Sequence, residues 1–192
     1  MANVIFAGVG GQGVILASKI LMQVAMDAGC DVKESEVHGM AQRGGSVDCH
    51  VRYGDRVYSP LIPLHSADFI VSLEMLEAMR KMDYLTPGGR LIVNLEKVDP
   101  APVRTGAMKY PPDLREWLSK NVGGVLFVDT AGIVKQVGTR KALNIVMLGV
   151  LSNYLEFDEA RWESAITSLV KEKFAEMNLK AFNMGRSYRI PA

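Results

Sequence analysis

"VIFAGVGGQGVILASKIL", residues 4–21, decides the fold. Its first four residues, Val4-Ile5-Phe6-Ala7, form a continuous apolar run of the length expected for a strand covered on both faces, as in a parallel sheet. From Val14 the apolar residues change to helical spacing and offer Ile15, Ile20, Leu21 and Val24 to a core, until Gly29 stops the helix. Between the two, Gly8, Gly10 and Gly13 satisfy the G-x-G-x-x-G spacing at the carboxyl end of the strand. A strand over 3–7, a glycine turn and a helix over 14–28 make a βα unit, the opening of a Rossmann-like, doubly wound α/β fold.

Working outward, residues 31–37 read as the second strand, but "HGMAQRGG" (38–45) is too polar and too rich in glycine to be the crossover helix that should follow. Residues 46–53 then alternate, with Val47, Cys49, Val51 and Tyr53 on one face and Asp48, His50 and Arg52 on the other. Gly54-Asp55 supplies a two-residue turn into 56–59, which predicts a β-hairpin inserted after the second strand. Beyond Pro60 and Pro63 the βα rhythm resumes, with strands in "ADFIVSLE" (67–74), "RLIVNLE" (90–96) and "GGVLFVDT" (123–130). Helices are expected over 75–84, in a short piece closed by Trp117 and Leu118, and over 142–154, whose girdle is apolar nearly all round and so needs neighbours on several sides. The stretch 99–112 reads as a surface loop. Asp158 is placed to cap a last helix carrying Trp162, Ile166, Leu169 and Phe174, with Gly185 ending it near Phe182. The expected architecture is α/β, a mostly parallel sheet with an inserted β-hairpin after the second strand, in one domain over 1–192.

Composition narrows the function. A formal net charge of +1 over 192 residues gives no basic field for nucleic acid, and no apolar run reaches the roughly 18 residues of a membrane span. The chain opens on a strand pattern without a signal peptide, so a cytoplasmic location is expected. Its two cysteines, Cys30 and Cys49, cannot furnish a four-thiolate zinc or iron–sulfur site, and neither His50 nor His65 has visible companions for a metal, so no metal is expected on this chain. The eleven methionines fill core gaps or adapt to a partner. No G-x-S-x-G, H-E-x-x-H or paired-carboxylate constellation stands out, and no catalytic acid or base is assigned.

Two stretches carry the remaining chemistry. The glycine turn, with Gly8, Gly10, Gly11, Gln12 and Gly13, either faces a ligand phosphate with its amides and a helix N-terminus, or packs the first helix tightly on the sheet. Glu34 and Glu36 lie downstream at about the distance of a ribose-binding acid, although the missing crossover helix argues against a nicotinamide cofactor. No Gly-Lys-Ser/Thr follows Gly13, which excludes a P-loop. The second stretch crowds His38, Gln42 and Arg43 against Gly44 and Gly45. Arg43 can fork onto a phosphate or carboxylate and His38 can donate to an anion or move a proton; the alternative is a solvated loop with a capping arginine.

"GVGGQGV" (8–14), "EVHGMAQRGGSV" (36–47), "HVRYG" (50–54), "YSPLI" (58–62), "PGG" (87–89) before "IVN" (92–94), "NIVMLGVL" (144–151) and "NLKAFNMGR" (178–186) together resemble the small, gamma-type subunit of 2-oxoacid:ferredoxin oxidoreductases. The likeness is strongest to the beta subunits of the indolepyruvate enzymes and runs over nearly the whole chain. It implies oxidative decarboxylation of a 2-oxoacid, such as an arylpyruvate, to an acyl-coenzyme A with ferredoxin as electron acceptor. Thiamine diphosphate, magnesium and 4Fe-4S clusters would then belong to a large partner subunit, through which ferredoxin is reached, while this chain binds no cofactor alone and faces the interface and the coenzyme A path. The readings from other classes are a free-standing NAD(P)-binding dehydrogenase and a ligand-sensing Rossmann-like module.

Overall fold

A computed structural model describes residues 1–38, 44–99 and 101–188. Six strands form one mixed sheet: β1 (Ala2–Val9), β2 (Asp31–His38), β3 (Ser46–Gly54), β4 (Ala67–Ser72), β5 (Leu85–Asn94) and β6 (Val125–Val128), in the spatial order β2-β3-β1-β4-β5-β6. The pairs β1–β4, β4–β5 and β5–β6 are parallel, while β3 runs antiparallel to β1 on one side and to β2 on the other. The α/β, mostly parallel architecture is as expected.

The inserted hairpin is not built as expected. Residues 56–59 form no strand, because both edges of β3 are already taken: Val51 stands opposite Val4 of β1 and Glu34 of β2. The antiparallel partner is β2, and the chain beyond Gly54 turns back as a loop. That loop is tied down by the Val57 amide donating to Asp31 Oδ2 at 2.8 Å and by Arg52 donating to the Ser59 and Leu61 carbonyls.

Two apolar layers follow from strand alternation. Val4 and Phe6 of β1 and Cys49 and Val51 of β3 face α1 (Val14–Asp27), α6 (Leu143–Ser152), α7 (Glu159–Leu169) and α8 (Ala175–Arg186). Ile5, Ile70, Leu91 and Val93 face the other way, toward α2 (Met75–Lys81) and α4 (Leu114–Asn121). α6 buries all ten of its residues, in line with its apolar girdle. A short helix, α5 (Ala131–Val137), was not legible in the sequence, and α3 (Ala101–Arg104) interrupts the stretch read as a loop. Asp158 does cap α7, accepting from the Arg161 amide at 2.9 Å.

The expected last helix is broken in two at Val170, and Leu169 and Phe174, expected in the core, are 39% and 43% exposed at the break. Gly185 does not end a helix. It lies inside α8, where a β-carbon would come 2.1 Å from the Val146 carbonyl oxygen; across the contact, one on Gly149 of α6 would come 2.2 Å from the Phe182 carbonyl oxygen. Glycine is needed there because two helix backbones touch. Gly185→Ala is therefore predicted to destabilise the chain by about 1–3 kcal/mol or more in urea unfolding. Gly132→Ala in α5, where nothing lies within 4 Å of the new methyl, should be neutral or stabilising by up to about 1 kcal/mol.

Candidate functional site

The glycine turn leaves the carboxyl end of β1, where the sheet changes the face on which its helices lie. α1, after β1, packs on one side, while α2, after the neighbouring β4, packs on the other. Open α/β sheets bind ligands at such switch points. Gly8 is packed, with a β-carbon due 2.8 Å from Val14 Cγ2 and 2.9 Å from Gln12 Oε1. Gly11, at φ +103°, has open space where its side chain would be, and Gly13, at φ +85°, lies against the amide of Asn144. The turn thus combines both readings: Gly8 seats the helix, and Gly11 and Gly13 bend the backbone into left-handed conformations.

Gln12 holds the turn closed from inside. Its Oε1 accepts from the Val9 amide at 2.7 Å and its Nε2 donates to the Leu73 carbonyl at 3.1 Å. That carbonyl also accepts from Asn94 Nδ2 at 3.1 Å, and Asn94 Oδ1 accepts from the Thr130 hydroxyl at 2.8 Å. A polar chain therefore runs along the carboxyl edge from β1 past β4 to β5 and β6. It ends in a cleft of about 850 Å³ floored by Asn94 and Thr130 and bridged by the Glu96–Arg140 ion pair. Among the described residues no side chain caps the N-terminus of α1, whose partial positive charge is left at this edge.

The second glycine stretch lands on the first. The Gly10 amide donates to the Gly45 carbonyl at 2.8 Å and the Gly44 amide to the Gly10 carbonyl at 3.3 Å. Arg104, at the end of α3, lies against Gly44, with Nη2 2.7 Å from where a β-carbon would be. Of the sequence-predicted residues, the structure thus brings Gly8, Gly10, Gly11, Gln12, Gly13, Gly44 and Gly45 to one place. The backbone of His38 ends β2 opposite Val47; Gln42 and Arg43 lie outside the described residues. Arg104 was missed because nothing in the sequence ties 99–112 to the glycine turn.

Glu34 does not serve a ribose. Its Oε1 accepts from the Ser18 hydroxyl of α1 at 2.7 Å, Glu36 pairs with Lys19, and β3 separates β2 from β1. The dinucleotide geometry needs the second strand beside the first, so the nicotinamide reading loses its support.

Beneath the site, buried charges fix β3 to α2. The Ser46 hydroxyl donates to Glu77 Oε2 at 2.5 Å, and Glu77 also takes Arg80 at 2.5 Å. The Ile62 amide donates to His50 Nδ1, so Nε2 carries the proton and donates to Asp48 Oδ2 at 3.2 Å; Lys81 Nζ reaches Asp48 Oδ1 at 2.7 Å. Burial alone raises the Asp48 carboxyl, but the hydrogen bonds from His50 and Lys81 more than offset it and hold the group below its ordinary value. Glu74 is the opposite case. Burial pushes it up against four donors, namely the Tyr110 hydroxyl at 2.5 Å and the amides of Leu76, Glu77 and Val98. Through Tyr110 and Val98 it pins the segment that carries Arg104. Among the described residues, no three His, Cys, Asp or Glu side chains gather as a metal site, and no helix is long and apolar enough to cross a membrane.

The family model described as pyruvate ferredoxin/flavodoxin oxidoreductase matches residues 3–188. Indolepyruvate oxidoreductase subunit IorB of Archaeoglobus fulgidus is 40% identical over 192 residues, covering 98% of this chain and 95% of its own. The IorB subunit of Thermococcus kodakarensis is 35% identical over 188 residues, covering 95% and 93%. Among solved structures, the gamma subunit of keto/oxoacid ferredoxin oxidoreductase from Geobacter sulfurreducens superposes with a TM-score of 0.71 at 25% identity, covering 97% of each chain.

The Asp48 pair yields a test of the scaffold. Because the folded-state pKa is depressed, its stabilisation is present above the unfolded carboxylate value near pH 4 and is lost as pH falls through the lower folded value. Lys81→Met is predicted to lower unfolding free energy by about 1–3 kcal/mol at pH 7. The gap from wild type should shrink as pH drops below about 4; an undiminished gap at pH 3 would contradict the assignment.

Proposed function

This chain belongs to the pyruvate ferredoxin/flavodoxin oxidoreductase family, and on that premise we propose that it is the small subunit of an enzyme acting on arylpyruvates such as indolepyruvate. The reaction converts a 2-oxoacid anion, coenzyme A and two oxidised ferredoxins into an acyl-coenzyme A, carbon dioxide, a proton and two reduced ferredoxins. Thiamine diphosphate with magnesium, held on a large partner subunit, supplies the electron sink for decarboxylation, and 4Fe-4S clusters on that partner carry the electrons to ferredoxin in the cytoplasm.

The observation that carries this reading is the crossing of the two glycine stretches, which turns an uncapped α1 N-terminus and Arg104 outward at one edge while Glu34 is turned away. With the Gly10 amide held by the Gly45 carbonyl, the backbone amides at Gly11 and Gly13 suit the pyrophosphate of coenzyme A. Arg43 and Arg104 would supply charge to its phosphates or to the partner, with His38 and Gln42 as further polar candidates from the same stretch of sequence. This chain's task is to orient the thiol carrier and exclude water from the partner's reacting carbon, as acyl transfer to a thiol in place of water requires.

Co-purified with its large subunit, the chain should support coenzyme A-dependent reduction of a ferredoxin surrogate, with indolepyruvate and phenylpyruvate preferred over pyruvate and 2-oxoglutarate. Preference for pyruvate would overturn the substrate assignment, and equal turnover by the large subunit alone would overturn the role of this chain. Arg43→Ala and Arg104→Ala should leave thermal unfolding of the lone chain within about 0.5 kcal/mol of wild type. Each should nevertheless lower turnover at limiting coenzyme A, or weaken assembly, by about 30-fold or more, as loss of a charge-assisted interface contact does. Normal turnover of both variants would make the two arginines solvated bystanders.

A further inference from the structure

A second cavity lies at the opposite edge of the sheet. It opens beside Ala2 and Phe69, where β1 and β4 begin, so the six strand steps from Ala2 to Gly8 put it about 20 Å from the glycine turn. Its volume is about 530 Å³, within the range of small-molecule sites. Four aromatic rings, Tyr53, Phe69, Tyr154 and Phe157, wall it.

Those walls are fixed from behind. Phe157 packs on Trp162 with ring centroids 6.1 Å apart and on Tyr53 at 5.4 Å, and the Arg90 guanidinium sits 4.4 Å over the Tyr154 ring. Rings held this way cannot close the space by rotating inward without losing contacts on their far sides.

Among the ring walls, the Tyr53 hydroxyl is the polar group that faces a ligand. Tyr53 is 9% exposed, yet its hydroxyl makes no hydrogen bond to a described residue and is not sealed from solvent. Burial, reinforced by Cys30, Asp68 and Glu156, pushes its pKa up, so it stays a neutral hydroxyl able both to donate and to accept. Open to the cavity, this hydroxyl can exchange its contact with water for a hydrogen bond to a ligand group.

We propose that this cavity is a binding site for a small, uncharged aromatic molecule of one or two rings bearing an N–H or O–H group that bonds to the Tyr53 hydroxyl. The rings select a planar apolar body, and Glu156 and Asp68 disfavour an anion. Arg161 in the lining, with Arg90 behind the Tyr154 ring, disfavours a cation. The site is independent of the coenzyme A edge and does not rest on the reading of that edge.

Cys30 gives a direct readout, since it lines the cavity and is partly exposed while Cys49 is fully buried and serves as an internal control. In the 192-residue chain, iodoacetamide should alkylate Cys30 and spare Cys49, followed by mass spectrometry. Indole should slow the Cys30 reaction saturably, by about tenfold at ten times its dissociation constant. Tyr53→Phe should weaken that protection about fivefold by removing one hydrogen bond. Tyr154→Ala, which removes a partly buried wall at the edge of the core, should abolish saturation. The proposal is overturned if Cys30 resists alkylation without indole, if indole gives no saturable protection, or if benzoate protects as well as indole. Unchanged indole affinity in either variant overturns it too.

Discussion

The pairing of β3 on both of its edges is the constraint on which the rest of the molecule depends. Eight residue pairs to β1 and eight to β2 leave this antiparallel strand no freedom of register. Slipping it by one residue would turn Asp48 and His50 into the α1 layer and Val47, Cys49 and Val51 toward α2. Register in turn sets the position of Ser46 beside Val9, and so delivers Gly44 and Gly45 onto Gly10. The candidate edge is thus a consequence of sheet pairing and needs no special loop chemistry to assemble.

Two polar devices secure that arrangement where apolar packing cannot. On the α2 side, Asp48, His50 and Lys81 satisfy one another, and Ser46, Glu77 and Arg80 do the same one step nearer the glycine turn. Breaking such a buried pair costs more than the pair contributes, which makes the groups better at fixing register than at adding stability. Along the carboxyl edge, Gln12, Asn94 and Thr130 meet through the Leu73 carbonyl and tie the ends of four strands together. On the other layer, the close contact of Gly149 and Gly185 brings α8 against α6, and Asn144 at the start of α6 donates to the Gly13 carbonyl at 3.0 Å. The core thereby reaches the turn from behind.

Much of this was legible in the sequence because periodicity reports burial. The opening βα unit, the strands after Pro63, the all-round apolar α6 and the Asp158 cap each carry a local signal. What failed depends on contacts distant in sequence. The turn residues Gly54-Asp55 look like a hairpin, but whether 56–59 can pair is decided by β1 and β2 occupying both edges of β3. Gly185 looks like a helix stop because a helix–helix contact with Gly149 leaves no mark on its neighbours. Asp48 stands in the sequence only on the polar face of its strand, and nothing singles out Glu77, since their partners Lys81 and Ser46 are separated from them by about 30 residues of chain. Arg104 was hidden for the same reason, and its segment reaches the site through a Tyr110–Glu74 hydrogen bond that no spacing reveals. For the family resemblance, the glycine turn alone was insufficient; the 36–47 stretch together with the late helices made it specific.

We propose that the carboxyl edge, where the glycine stretches cross, is the surface this subunit presents to its partner and to coenzyme A. Amide hydrogen exchange of the chain alone and within the assembled enzyme, each with and without coenzyme A, measures this directly. The account predicts that assembly slows exchange at residues 10–14 and 44–46 and in the segment around Arg104, that coenzyme A deepens protection at 10–14, and that α7 is unaffected. Protection confined to α7 and α8, with exchange at 10–14 unchanged by assembly and by coenzyme A, would contradict it.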